Sequence, residues 1–307
     1  MKIDRTRVLL TGDTGFIGRH TRAALDPQAT WFLRSGNNSA SLVQHELRWD
    51  PSDSDRSLAL AFEVARPDAV VHLGWRDIRN TSAENLEFNV ALGERLTAAA
   101  VAAGCPRVIH VGTAWECAGL SGPISESDQG TALPDFAAAK LRLRGTATQL
   151  CHGSGTELVW ARIFYAYGPG QYPGSFLNTV AKMLSRGSDR PIGIDPTVAH
   201  DFIYASVVAD GLAALALTPN VSGTFDIGTG KATGLRQLAK YAFDSIGVAW
   251  PPDTECPEPS PDALVAPSLR LRQLGWRPKV PVGVGVGETI RYSLRNQTGV
   301  AGTQDPR

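Results

Sequence analysis

Val8-Leu9-Leu10-Thr11-Gly12-Asp13-Thr14-Gly15-Phe16-Ile17-Gly18 is the stretch that decides the fold of this chain. Val8-Leu9-Leu10 is too short for a buried helix and is closed by glycine, so it predicts a core strand. A helix is predicted over 16–25, ending near Pro27. Strand, tight glycine turn and helix, in that order, form the context that a dinucleotide-binding fingerprint requires. Gly12 permits the turn, Gly15 lets the backbone approach a pyrophosphate, and Gly18 lets the helix pack closely on the strand. Phe16 and Ile17 open the helix, where free N–H groups and a partial positive charge face the phosphates.

Outward from this stretch, apolar strands alternate with helical patterns. Strands are predicted near 7–11, 30–34, 43–48, 69–73, 107–112 and 157–163, and helices near 16–25, 55–65, 82–103 and 136–152. That alternation predicts an α/β fold with a doubly wound, Rossmann-type parallel sheet. Beyond about residue 164 proline and glycine become frequent, as in Gly168-Pro169-Gly170, Pro173-Gly174, Pro191 and the 251–261 segment. Shorter elements are expected at 176–186, 206–217, 234–246, 268–274 and 286–295. The expected division is a dinucleotide-binding domain over 1–163 and, over 164–307, mainly a smaller substrate-binding lobe with some segments returning to the core. Gly283-Val284-Gly285-Val286-Gly287 follows no clear strand and is assigned to a turn plus a helix start.

Bulk properties narrow the function. The chain has 307 residues, 43% of them hydrophobic, which is ordinary for a globular protein with a sizeable core. Lys plus Arg equals Asp plus Glu at 30 each, which argues against nucleic acid and anionic membranes as partners. No apolar stretch approaches the ~18 residues of a membrane span. Cys105, Cys117, Cys151 and Cys256 are widely spaced, and no signal-peptide pattern precedes them, so reduced thiols and a cytoplasmic location are expected. The six histidines are scattered and none sits in a spaced ligand pair, so no metal site is expected.

Charge at the end of the second strand separates the two dinucleotides. An acid there would bond the ribose 2′-hydroxyl, whereas an arginine accommodates a 2′-phosphate. The chain reads Trp31-Phe32-Leu33-Arg34-Ser35, with Arg19 following the last motif glycine. Two arginines in reach of one phosphate position favour NADP(H) over NAD(H); as surface residues, both would simply be solvated.

Several further segments carry a resemblance. Thr11 to Gly18, Asp50, His72-Leu73-Gly74, Asn89, the run Arg162 to Gly170, His200-Asp201-Phe202-Ile203-Tyr204 and Leu274-Gly275-Trp276-Arg277-Pro278 stand in the order found in the extended short-chain dehydrogenase/reductases. The chain resembles that family along essentially its whole length. Its members are mostly nucleotide-sugar epimerases, dehydratases and 4-ketoreductases. The resemblance implies a sugar-like small-molecule substrate and a homodimer formed through helices 82–103 and 136–152. It also implies that Asp50 contacts the adenine and that Leu73, Gly74 and Trp75 line the nicotinamide ribose. Read alone, Asp50 is equally a turn residue before Pro51.

In this family a Ser or Thr, a Tyr and a Lys carry the chemistry, with Tyr and Lys one helical turn apart on one face. The matching positions are Thr113, Phe136 and Lys140. Phenylalanine has no ionisable proton, and positioned proton transfer typically supplies ~10²–10⁴-fold of rate. Three explanations stand open: a replacement introduced to trap a complex, a proton supplied by a neighbour, or a protein that binds a cofactor without redox work. Candidate neighbours are Tyr165, Cys117, Glu116 and a water bound to Thr113; each also has an ordinary structural role available. The family's diphosphate-gripping arginines are missing, since His200 stands at one position and Glu255-Cys256-Pro257-Glu258-Pro259 spans the other. Ala205-Ser206 replaces the usual Asp-Asp. Arg76, Arg79, Lys182, Arg186 and Arg190 are candidate substitutes. Ala114 and Trp115 follow Thr113 where dehydratases carry Asp-Glu, which favours reduction over elimination. The expected function is therefore an NADP(H)-dependent oxidoreductase, foremost a nucleotide-linked deoxysugar 4-ketoreductase. The alternatives are an epimerase and a cofactor-binding protein with little redox activity or a non-redox catalyst.

Overall fold

A computed structural model describes residues 6–34, 45–49, 55–187, 193–252 and 254–300, the last four as backbone. Asp50, Arg190 and Pro191 lie outside the described residues. The first half runs β1 (Val8–Thr11), α1 (Phe16–Ala24), β2 (Thr30–Arg34), β3 (Glu46–Arg48), α2 (Asp55–Ala65), β4 (Ala69–His72), α3 (Ala83–Ala102) and β5 (Arg107–Thr113). It continues through α4 (Asp135–Cys151), β6 (Glu157–Ile163), β7 (Tyr165–Tyr167), α5 (Phe176–Ser185), β8 (Ala199–His200), β9 (Phe202–Tyr204) and α6 (Ala205–Leu217). The remainder is β10 (Gly223–Ile227), β11 (Thr233–Gly234), α7 (Leu235–Asp244), α8 (Leu269–Gln273) and α9 (Val282–Val300).

Seven parallel strands form the central sheet in the order β10-β6-β5-β4-β1-β2-β3. Both faces are covered, which is why β1 and β4 read as unbroken apolar runs. Side chains alternate across the sheet. Val8 and Leu10 join one core with Val208 and Leu212 of α6, and Leu9 joins another with Phe62 of α2 and Leu96 of α3. The strand order reverses between β1 and β4, and ligands bind outside the carboxyl ends of strands at such a switch point. Two small sheets, β7 with β9 and β8 with β11, lie beyond the central one. Among the described residues no helix is long and apolar enough to cross a membrane.

Two elements depart from the sequence expectation. The first is β10, an edge strand that alternation does not reveal because its fourth residue is a buried acid. Asp226 sits directly across from Arg162 of β6 in the strand register. Arg162 Nε and Nη2 donate to its two carboxylate oxygens at 2.6 and 2.9 Å, with both side chains almost fully buried. Nη2 also donates to the carbonyl of Ser125 at 2.8 Å, and Nη1 donates to that of Asp128. A charge pair thus replaces the apolar signature of a core strand.

The second is Gly283 to Gly287, which forms the start of α9, as expected, but without a separate turn. Two of its glycines let α9 approach tyrosines on different sides, Gly283 beside Tyr241 and Gly285 beside Tyr167 and Tyr204. A Cβ on Gly285 would come within 2.6 Å of the Tyr167 hydroxyl and 2.7 Å of the Tyr204 ring. Tyr167 donates to the carbonyl of Val282 at 2.9 Å, fixing the start of the helix.

Replacing Asp226 by Asn leaves Arg162 charged, buried and without its counter-ion, and is expected to cost about 3–5 kcal/mol in urea unfolding. A loss below about 1 kcal/mol would show that the pair does not hold β10 to the sheet.

Candidate active site

The glycine turn is built on backbone-to-backbone contact. Gly12 has φ +72°, and a Cβ there would meet Gly74 N and Leu73 C at 2.7 Å. A Cβ on Gly18 would stand 1.8 Å from the carbonyl oxygen of Gly12, so the first turn of α1 can lie against the loop only because this residue is glycine. Gly15 N donates to that same carbonyl at 3.0 Å. Thr11 Oγ1 accepts from Gly74 N at 3.2 Å and lies 2.7 Å from His72 Nδ1, tying the end of β1 to the end of β4. Burial, with the Lys140 charge adding to it, holds the His72 imidazole down at about 3. The floor of the turn is therefore neutral throughout the physiological range.

A cleft of about 620 Å³ opens above this floor. The turn residues and Leu73, Gly74, Trp75 and Arg76 form its near side, and Leu33, Arg34, Trp49, Phe88 and Leu92 its far end. Backbone too close for any Cβ, N–H groups at the start of α1, and a lining that joins apolar Leu33, Trp49, Phe88 and Leu92 to Arg34 and Arg48 together fit a dinucleotide. Trp49, Phe88 and Leu92 were not legible as site residues. The signal for the last two was their i, i+4 spacing on one helix face.

Arg34 and Arg19, expected to converge on one phosphate, are separated by the fold. Arg34 lines the cleft, but Nε and Nη2 donate to Asp13 at 3.0 and 2.5 Å and Nη1 donates to Glu46 at 2.9 Å. The acid absent from β2 in sequence is thus supplied in space by the glycine turn and by β3. Arg19 folds back onto the carbonyls of Thr14 and Gly15 and packs beside Gly170, so it does not join Arg34. Ile17 turns into the core, and the Phe16 ring meets His20 edge-on, leaving the backbone of both at the turn.

At the carboxyl end of β5, Thr113 caps a short helical turn over Ala114–Cys117. Its hydroxyl oxygen accepts from Trp115 N at 3.3 Å, and its own N–H donates to Glu116 Oε1 at 2.8 Å. With the lone pair occupied from behind, the hydroxyl proton is available to a substrate oxygen. Lys140 and Phe136 share one face of α4, as their spacing predicts. Lys140 Nζ donates to the carbonyl of Val111 at 2.9 Å and lies 3.8 Å from the Trp75 ring centre. Phe136 is buried edge-on between Trp75 and Trp115, at 5.4 and 6.0 Å between ring centres.

Three of the candidate substitute acids have neighbours that define their surroundings. The Glu116 carboxylate accepts from Thr113 N and from Trp160 Nε1 at 3.0 Å, and burial raises it above the usual carboxylate range. Cys117 packs in an apolar cluster with Ala114, Ile124 and Phe164, its thiol pushed up to about 11 by burial. Tyr165 stacks on His200 at 3.7 Å and 8°. Burial raises the phenol above its usual range. Three of the candidate diphosphate cations have partners within the chain. Arg76 stacks on Phe88 and donates to Asn85, Arg79 lies over Tyr172, and Lys182 donates to the Pro173 carbonyl. Asn89 and Asn85 hold the loop after β4 through the backbone of Arg76.

Known proteins share this architecture. Residues 8–228 match the NAD dependent epimerase/dehydratase family. A dTDP-6-deoxy-L-talose 4-dehydrogenase (NAD(P)(+)) of Kitasatospora kifunensis is 27% identical over 94% of this chain and 93% of its own length. A UDP-glucose 4-epimerase of Mycolicibacterium smegmatis is 25% identical over 95% of this chain and 99% of its own. The fold is also that of the UDP-glucose 4-epimerase structure from Thermotoga maritima, with a TM-score of 0.78, 21% identity and coverage of 95% and 99%.

Replacing Gly18 by Ala should weaken NAD(P)H binding, read by nucleotide fluorescence, by at least ~10-fold, or ~1.4 kcal/mol, with far-UV circular dichroism retained. Unchanged affinity would mean that the close approach at Gly12 does not shape the cradle.

Proposed function

The chain belongs to the NAD dependent epimerase/dehydratase family, and from that membership we propose that it is an NADP(H)-dependent oxidoreductase acting on a sugar-like keto or hydroxyl group, specifically a nucleotide-linked deoxysugar 4-ketoreductase. The observation that carries this is the Thr113 hydroxyl, whose oxygen accepts from Trp115 N so that its proton can point at a substrate oxygen beside Lys140. The 4-dehydrogenase of K. kifunensis, a full-length relative, supports a reaction at a sugar C4.

Thr113 would polarise the carbonyl by donating to its oxygen, and Lys140 would hold the nicotinamide ribose. The bound dinucleotide would supply the hydride. Ala114 and Trp115 offer no acid–base pair for elimination, which separates this site from a dehydratase. The stacked rings of Tyr165 and His200 would form a wall of the substrate pocket, within a lobe built from the segments beyond 164 that lie outside the central sheet. The outer faces of α3 and α4, which pack on each other, would pair two subunits. Buried free thiols at Cys105, Cys117 and Cys151 accord with a reducing cytoplasmic setting.

Arg34 is the basis of the NADP(H) assignment. Three of its five N–H donors are used by Asp13 and Glu46, which fix the position of the planar guanidinium at the cleft. Glu46 favours a second reading, NAD(H) with epimerisation, because a carboxylate at this place can accept from an unphosphorylated ribose.

Incubation with NADPH and a dTDP-4-keto-6-deoxyhexose should oxidise NADPH in step with alcohol formation. Inversion at C4 without net NADPH oxidation would select the epimerase instead. Arg34→Ala should raise KM for NADPH about 10–100-fold and that for NADH by less than about threefold, the loss of a charge-assisted phosphate contact. Equal effects on both nucleotides would select NAD(H).

A further inference from the structure

With a hydrophobic ring at 136, the site needs a labile proton from another group, and Lys140 offers one. Its side chain is buried at the carboxyl end of β5, one helical turn beyond Phe136 on the same face. An ammonium has three donors. One is spent on the Val111 carbonyl, and the nitrogen faces the rings of Trp75 at 3.8 Å and Phe136 at 5.6 Å. No carboxylate is hydrogen-bonded to it among the described contacts. Thr113, two residues along β5 from Val111, brings the carbonyl-polarising hydroxyl to the same strand end.

We propose that the Lys140 ammonium is the proton donor of the reduction, in place of a hydroxyl at position 136, as well as a ligand of the ribose. The inference rests on the reductase assignment above. As the carbonyl carbon accepts hydride from NADPH, the π-electron pair moves to oxygen. That oxygen takes a proton from Nζ, leaving a neutral amine, the alcohol and NADP⁺. The amine recovers its proton from solvent. In the oxidising direction the neutral amine removes the hydroxyl proton.

The electrostatic surroundings agree with this role. Burial lowers Lys140 to about 7, so both protonation states are accessible at neutral pH, which is what a general acid requires. His72 on β4 is held at about 3 and His110 on β5 well below the usual imidazole range, so both are neutral. Among the described residues Glu116, in the turn after β5, is the carboxyl whose charge acts on Lys140, and it raises the lysine. Glu116 is therefore a positioning residue that keeps the donor protonated.

The test combines kinetics with a titration that needs no turnover. In ligand-free protein labelled with [13C]-lysine at Cε, the resonance missing from Lys140→Arg should titrate near 7. A midpoint above 9 would overturn the proposal. With saturating NADPH and a dTDP-4-keto-6-deoxyhexose, kcat for reduction should fall tenfold per pH unit above about 7, because the donor must be protonated. Lys140→Arg keeps a cation for the ribose but cannot release a proton, so it should lose ~10²–10⁴ in kcat with little change in KM for NADPH, and lose the limb. Glu116→Gln should move the limb to lower pH. A Lys140→Arg enzyme that keeps the limb where it was, with only KM raised, would assign Lys140 to ribose binding alone. Failure of the reductase assignment looks different: no NADPH oxidation at any pH by either protein, which removes both.

Discussion

Backbone touching backbone at Gly12 is the constraint on which the rest of this structure depends. The turn after β1 meets the turn after β4 so closely that no side chain fits between them, and Gly18 brings α1 equally close from the other side. From that knot the site is assembled by short links. Thr11 fixes Gly74 and His72, Leu73 and Gly74 lead to Trp75, and Trp75 lies on Lys140 and Phe136. A cradle for phosphates and the floor of a reaction centre are therefore parts of one rigid unit at the sheet's switch point.

Much of this was legible because it is local. A strand, its glycine turn and the helix after it all lie between Val8 and Ala24, and the face shared by Phe136 and Lys140 follows from helical period alone. What was not legible depends on pairing over distance. Arg34 reads as a free cation in sequence, yet Asp13 and Glu46 converge on it only once β2 lies between β1 and β3. β10 hides because Asp226 is satisfied by Arg162 across the strand, a relation invisible from either residue alone. The glycines of α9 read as a turn plus a helix start because the reason for Gly285, room for Tyr167 and Tyr204, comes from distant segments.

The reaction centre differs from a hydroxyl-based one in its electrostatics. The aromatic rings of Trp75 and Phe136 pack against Lys140 near the end of β5. Low polarity disfavours the ammonium, while the Trp75 ring face and the Glu116 charge oppose that effect. The balance leaves a cation whose proton can be given up. An aromatic at 136 is then part of the device, since it desolvates the amine that replaces the missing phenol.

The most direct measurement is the kcat of Phe136→Tyr for reduction of a dTDP-4-keto-6-deoxyhexose by NADPH. If chemistry here runs without a hydroxyl at 136, the variant shows no gain or a loss, because the new phenol loosens the apolar packing around Lys140. A gain of ~10²-fold or more, the scale of a restored general acid, would contradict that account and return the proton to the helix position that phenylalanine now fills.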